Sequence, residues 1–192
     1  MKKTFLSLTL LLIVAITSFA QKQEGHILKL HIGVLNKIKL NYEVPVSDVF
    51  SFGSTAAYYF GSYPGWKLEP FARYYIGGEA PSGLYLQARG AYGMFNPTLI
   101  YYAPGFIGGN LDAITEKKNV SSMGGGLDLG YQWLSGKQKN IAIDISLGAQ
   151  VMQNINGTVT KNNVTYTSEN VGFNSTGPGG IFNPRLSIGY RF

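Results

Sequence analysis

The chain has no cysteine and only two histidines, and charged residues make up just 14% of its 192 positions. Without cysteine there is no disulfide framework and no thiol to carry a lipid anchor. His26 and His31 have no thiols and no acidic cluster at ligand spacing beside them, so no metal site and no cofactor is expected. Long apolar runs are equally scarce. One spans about residues 5–16, and no other is long enough for a membrane helix. A chain of this kind can cross a bilayer only as a closed β-barrel, because every backbone polar group must find its partner inside the structure. The formal charge of +6 is carried by single residues scattered along alternating segments. Without a basic cluster, no nucleic-acid partner is expected.

The one apolar run has a recognisable context. It follows Met1-Lys2-Lys3 and leads to Ser18-Phe19-Ala20, with small residues at the two positions a signal peptidase reads. This predicts a secretory signal peptide over residues 1–20 and a single mature domain over 21–192. Loss of Lys2 and Lys3 would leave a net charge of about +4.

What is abundant is alternation. The last ten residues place Leu186, Ile188, Tyr190 and Phe192 on one side of an extended strand, and Arg185, Ser187, Gly189 and Arg191 on the other. The pattern runs to the last residue, where a soluble chain usually frays. This stretch resembles the terminal strand by which bacterial outer-membrane barrels are recognised for insertion. Arg185, Tyr190 and Phe192 match that signal, while Ser187 stands where glycine is usual.

Seven further segments alternate in the same way, at about residues 26–35, 37–46, 49–60, 66–76, 83–95, 120–134 and 140–151. The first two together are too long for one bilayer crossing, so a tight hairpin is expected at Leu35-Asn36-Lys37, with Val34 opposite Ile38. Pro70 removes a ladder donor within the fourth segment and predicts a bulge or irregular pairing. The fold class is thus all-β, an eight-stranded antiparallel up-and-down transmembrane barrel with both termini periplasmic. Its periplasmic turns are short. Long external loops run over about 96–119 and 152–182, as outer-membrane barrels have them.

In every segment one face is free of charge, and every charge within the segments lies on the opposite face. Lys29, Lys39, Lys67, Arg73, Arg89, Arg185 and Arg191 point inward by parity, as do Glu43, Glu69, Asp128 and Asp144. The expectation is an ion-pair network that plugs the lumen, since unpaired buried charge is costly. A narrow, anion-preferring channel is the alternative. The 25 glycines, many on the inward face, leave room for these long side chains. Tyr42, Tyr58, Phe60, Trp66, Tyr74, Tyr131 and Trp133 join Tyr190 and Phe192 on the apolar face, where interfacial girdles belong. A secreted lipocalin-like barrel, with the same pattern turned inside out around a ligand, is a more remote reading.

From Leu28 to Phe95, the segments Leu-Lys-Leu, Leu-Asn-Tyr-Glu and Leu-Glu-Pro-Phe-Ala-Arg-Tyr-Tyr resemble an uncharacterised family of small outer-membrane β-barrels of Bacteroidetes-type bacteria. Lys29, the Tyr42-Glu43 pair and Pro70 with Arg73-Tyr74-Tyr75 carry the likeness. The architecture is similar to OmpA- and OmpX-type barrels, without an added peptidoglycan-binding domain. The resemblance implies the bilayer and the outer-membrane assembly machinery as partners, and it implies no chemistry.

Barrel lipases and lipid-A-modifying enzymes need a serine–histidine pair and an orienting acid on one surface patch. No lipid-facing histidine is expected, and no catalytic residue is assigned. The sequons at Asn119, Asn156, Asn163 and Asn174 read as polar loop. Function is expected in the external loops, as a structural or adhesive role with an external protein or surface partner. Thr158-Val159-Thr160 and Val164-Thr165-Tyr166-Thr167 flank an asparagine pair and predict a hairpin of about ten residues that continues the seventh strand. Leu99-Ile100-Tyr101-Tyr102 should extend the fifth strand and pack on that hairpin, leaving one exposed sheet edge. Phe173 to Gly180 should be mobile.

Overall fold

A computed structural model describes residues 25–31, 36–102, 113–153, 157–161, 164–168, 171–175 and 177–192. The segment read as a signal peptide, Val34 at the first hairpin and the Asn162-Asn163 pair lie outside the described residues. In chain order the strands are β1 (Ile27–His31), β2 (Lys37–Pro45), β3 (Phe50–Tyr59), β4 (Gly65–Ile76), β5 (Gly83–Phe95), β6 (Thr98–Tyr102), β7 (Ala113–Lys117), β8 (Val120–Ser135), β9 (Ile141–Met152), β10 (Gly157–Lys161), β11 (Val164–Ser168) and β12 (Arg185–Arg191). A short helix, α1 (Val171–Ser175), precedes β12.

Eight of these strands close into an antiparallel barrel in the order β1-β12-β9-β8-β5-β4-β3-β2. They coincide with the eight alternating segments, because a strand with one charged and one apolar face fixes its own register parity. The last strand closes on the first, with Ile27 opposite Arg191 and Leu30 opposite Ile188. The termini and the short turns after β2, β4 and β8 share one rim. The opposite rim carries the long connections.

Burial runs opposite to that of a water-soluble barrel. Lys29, Glu43, Lys67, Glu69, Arg73 and Asp144 are buried, while Leu40, Phe52, Leu86, Leu129, Ile145 and Ile188 are exposed on the outer face. Apolar faces therefore point away from the interior, not around an enclosed ligand as in a lipocalin-like barrel. The inward glycines meet their neighbours' long side chains. A Cβ on Gly148 would collide with the Asp128 carboxylate, and one on Gly189 with the Lys29 stem.

One local expectation changes and another is narrowed. A register with Val34 opposite Ile38 would place Leu30 against Tyr42, but Leu30 pairs with Leu40. The facing is kept and the offset differs by two residues, because parity alone cannot distinguish even shifts. At Pro70 there is irregular pairing but no bulge. The ladder to β3 runs through Ser54 opposite Pro70. The ladder to β5 pairs Leu68 with Tyr92 and resumes with Phe71 opposite Arg89, in unchanged register. Outside, a recess of about 580 Å³ is lined by Pro70, Gly90, Tyr92, Met123 and Val151 among others.

The long connections build a second sheet. Its order is β10-β11-β6-β7. The hairpin pairs Gly157 with Ser168 and Lys161 with Val164, and Thr167 faces Tyr102 across to β6. β6 is not an extension of β5, because Asn96-Pro97 breaks the strand, and β10 is likewise separate from β9. Among the described residues the sheet therefore has two edge strands, β7 and β10, where one exposed edge was expected.

Candidate functional site

The lumen is layered. Toward the terminal rim, β1, β2, β4 and β9 each contribute one charge to a closed cage. Lys29 Nζ lies 2.7 Å from Glu43 and 2.6 Å from Asp144. Arg73 Nη1 lies 2.9 Å from each of the same two carboxylates. Two cations and two anions thus balance one another. Gln132 Oε1 accepts from both Lys29 and Arg73, and the Tyr75 and Tyr85 hydroxyls donate to Glu43 and Asp144, each at 2.6 Å. The Arg73 guanidinium also stacks 4.1 Å from the centre of the Tyr85 ring. Arg73 reaches across the lumen for its acids, beyond its neighbouring strands. Such a cage keeps buried charges hydrogen-bonded, which is what makes their burial tolerable.

Toward the loop rim the balance is lost. Among the described residues the cations here are Lys37, Lys39, Lys67, Arg89 and Arg185, and the carboxylates are Glu69 and Asp128. Arg89 is well held, 2.7 Å from Glu69 and 2.9 Å from Asp128. Lys67 lies 3.2 Å from Glu69. Arg185 comes only to 3.6 Å from Glu69 and 3.9 Å from Asp128. With its amide oxygen turned inward, Asn183 accepts from Arg185 at 3.1 Å and Arg89 at 3.2 Å. Lys39 is 4% exposed, and among the described residues no carboxylate comes within ion-pair distance of it. Unsatisfied lumen atoms gather at the same level: Asn41 Oδ1, Glu69 Oε2 and Arg185 Nε. Gln87 joins the two layers, accepting from Arg73 at 2.6 Å and donating to Asp128 at 2.9 Å. Arg191 belongs to neither layer. It lies at the terminal rim, packed over Gly25.

The loop rim is capped by the segment expected to be mobile. Phe173 of α1 is fully buried and forms an apolar cluster with Ala57, Tyr59, Ala91, Phe95 and Met152. The Pro178 carbonyl accepts from Lys67 at 2.9 Å and from Gln150 at 3.1 Å. Gly179 and Gly180 are buried with it. The Gly/Ser/Asn/Pro composition suggested freedom, but one aromatic and one carbonyl anchor the segment into the mouth. Sequence offered only a lone Phe in a polar run, with no period to reveal its partner. Beside the cap, a cavity of about 200 Å³ opens between Asn36, Tyr59, Tyr63, Gly177 and Pro178, among others.

The two histidines part company. His26 bonds to the Tyr42 hydroxyl and stacks on Phe192 with ring centroids 6.0 Å apart. It thus joins the outward aromatics of the terminal rim. His31 points inward, with Nδ1 3.0 Å from the Ser187 hydroxyl. This serine–histidine contact lies inside the lumen, with Ser187 buried, and not on a surface patch. Among the described residues no group of three His, Cys, Asp or Glu could hold a metal ion. Tyr190 and Phe192 are exposed on the outer face, and the Phe192 backbone N–H donates to His26 at 2.9 Å.

Two solved structures of similar fold are the N-terminal β-barrel domain of Pseudomonas aeruginosa OprF and the Neisserial surface protein A. The first is 14% identical, covers 88% of this chain and 98% of its own, and superposes with a TM-score of 0.41. The second is 12% identical, covers 87% of this chain and 92% of its own, and has a TM-score of 0.37. No curated protein matches the chain. Residues 7–177 match the model of a family described as "protein of unknown function (DUF3575)", and the chain belongs to that family.

Proposed function

We propose that this protein is an integral outer-membrane barrel that presents a β-platform to a partner outside the cell. What supports the membrane part is the inverted burial: charges packed in the interior and an outer face built from Leu, Ile, Phe, Tyr and Trp. A lipid-facing Lys or Arg costs roughly 2 to 4 kcal/mol at the bilayer midplane, so lipid favours this split, whereas water does not. Residues 1–20 serve as the export signal and 21–192 as the barrel. Tyr190 and Phe192 act as the assembly signal read by the outer-membrane machinery. The cage and its neighbours, together with the cap, plug the lumen, so the protein works by its surface and carries no catalytic role.

The platform is the β10-β11-β6-β7 sheet. Its β7 edge ends in exposed Glu116, Lys117 and Lys118, the charges by which edges are usually protected. The β10 edge, Gly-Thr-Val-Thr-Lys, holds a single charge and is the more open to a partner strand. Protease treatment of whole cells tests the topology: cleavage after Lys161 in intact cells supports it, and cleavage only in permeabilised cells inverts it. Replacing 157–168 by a short Gly-Ser turn tests the role. Loss of surface attachment with normal membrane insertion supports adhesion, while unchanged attachment leaves the loops as shields of the barrel mouth.

A further inference from the structure

We propose that the loop-rim end of the lumen is a binding site for a small phosphate-class oxyanion, with Lys39 and Arg185 as its principal donors. The cage below it is neutral by pairing, whereas among the described residues the layer above holds more cations than carboxylates, and the excess is localised. Lys39 of β2 and Lys67 of β4 both lie opposite Ala57 of β3, on one rung of the barrel. The electrostatic neighbours of Lys39 are Glu69, Arg185, Lys67 and Lys37, so four of these five side chains are cationic. Lys39 is 4% exposed and Arg185 6%, yet among the described residues Lys39 has no ion pair and Arg185 Nε has no acceptor.

A buried cation without a partner is destabilising, and a fold that keeps one gains from an anion supplied from outside. An oxyanion suits the donors, since it can accept from an ammonium and a guanidinium at once. Entry would be from the cap, where the 200 Å³ cavity reaches Pro178, whose carbonyl accepts from Lys67. The cavity is lined by Tyr59, whose ring has Lys37 Nζ at 5.7 Å and Lys67 Nζ at 5.6 Å from its centre. The site is a dead end: Arg89, Gln87 and the balanced cage close the lumen beneath it, so the anion binds and does not pass.

The test is a calorimetric titration of the full chain, folded in detergent, with sodium phosphate at constant ionic strength and sodium chloride as the control. Saturable binding of one phosphate per chain is expected. Lys39→Met should weaken it at least about tenfold, the effect of losing one charged hydrogen bond. Lys39→Met should also be at least as resistant to urea as wild type in phosphate-free buffer, and less resistant in saturating phosphate. A merely structural Lys39 would not produce that reversal. The inference is overturned if wild type shows no saturable response, if chloride acts equally, or if Lys39→Met binds as well as wild type. It is also overturned if Lys39→Met is weaker in both buffers. Should Lys39→Met not fold, the wild-type titration decides alone.

Discussion

Phe173 meets Phe95 edge-on, with ring centroids 5.3 Å apart. The contact seats α1 on the last inward position of β5 and turns a polar loop into a stopper. Phe173→Ala should release this segment without unfolding the barrel, because local opening draws on the loop's own contacts. Limited proteolysis should then cut within 171–180, while planar-bilayer conductance stays absent because the cage still closes the lumen. Stable unit conductance in the variant would make the cap, not the cage, the true barrier.

Arg73 is the keystone of the cage, bonded to two acids that come from strands on either side of it. Arg73→Ala should lower stability by roughly 3 to 5 kcal/mol, the cost of leaving buried carboxylates uncompensated. The urea midpoint of the refolded barrel measures this. An unchanged midpoint would mean that the lumen is solvated enough to screen the loss.

Gly148 gives Asp128 its space on the next strand, and Asp128 in turn holds Arg89 at 2.9 Å. Gly148→Ala should cost about 1 to 3 kcal/mol through displacement of that carboxylate. A double variant with Asp128→Asn should be far from additive, since both changes strike one network. Additive losses would show that the glycine acts elsewhere.

Phe192 adds a backbone bond and a ring stack to His26 at the barrel seam. Its deletion, or a charge in its place, should reduce membrane insertion far more than export, because an unclosed barrel exposes two strand edges. Wild-type levels of heat-modifiable, folded barrel in the membrane fraction would remove Phe192 from assembly.

The strands were legible because alternation of Leu28, Leu30 against Lys29, or of Ile143, Ile145 against Asp144, states both conformation and facing. Parity says which side chains enter the lumen but not at what height they meet. That is why the Leu30–Leu40 register and the reach of Arg73 to Asp144 had to come from the structure. The platform was partly legible in the β-branched run around residue 160 and in the apolar Leu99–Tyr102. The Asn96-Pro97 break, which makes β6 a separate strand with its own partner, was read through. The packed cap escaped because composition averages over a loop, and a single buried ring does not alter the average. That Lys39 has no ion pair among the described residues, and Arg185 only two long ones, depends on distances that no spacing encodes.

Pro70 has one more consequence. Around a closed barrel the hydrogen-bond ladder is a continuous hoop, and a hoop resists being opened at any one place. With rungs missing at Glu69 and Pro70, β4 and β5 are joined by two separate zips, Gly65–Leu68 with Tyr92–Phe95 and Phe71–Ile76 with Leu84–Arg89. The upper zip can part and reseal without the lower one following, so the barrel can flex at its loop end while its terminal end stays taut.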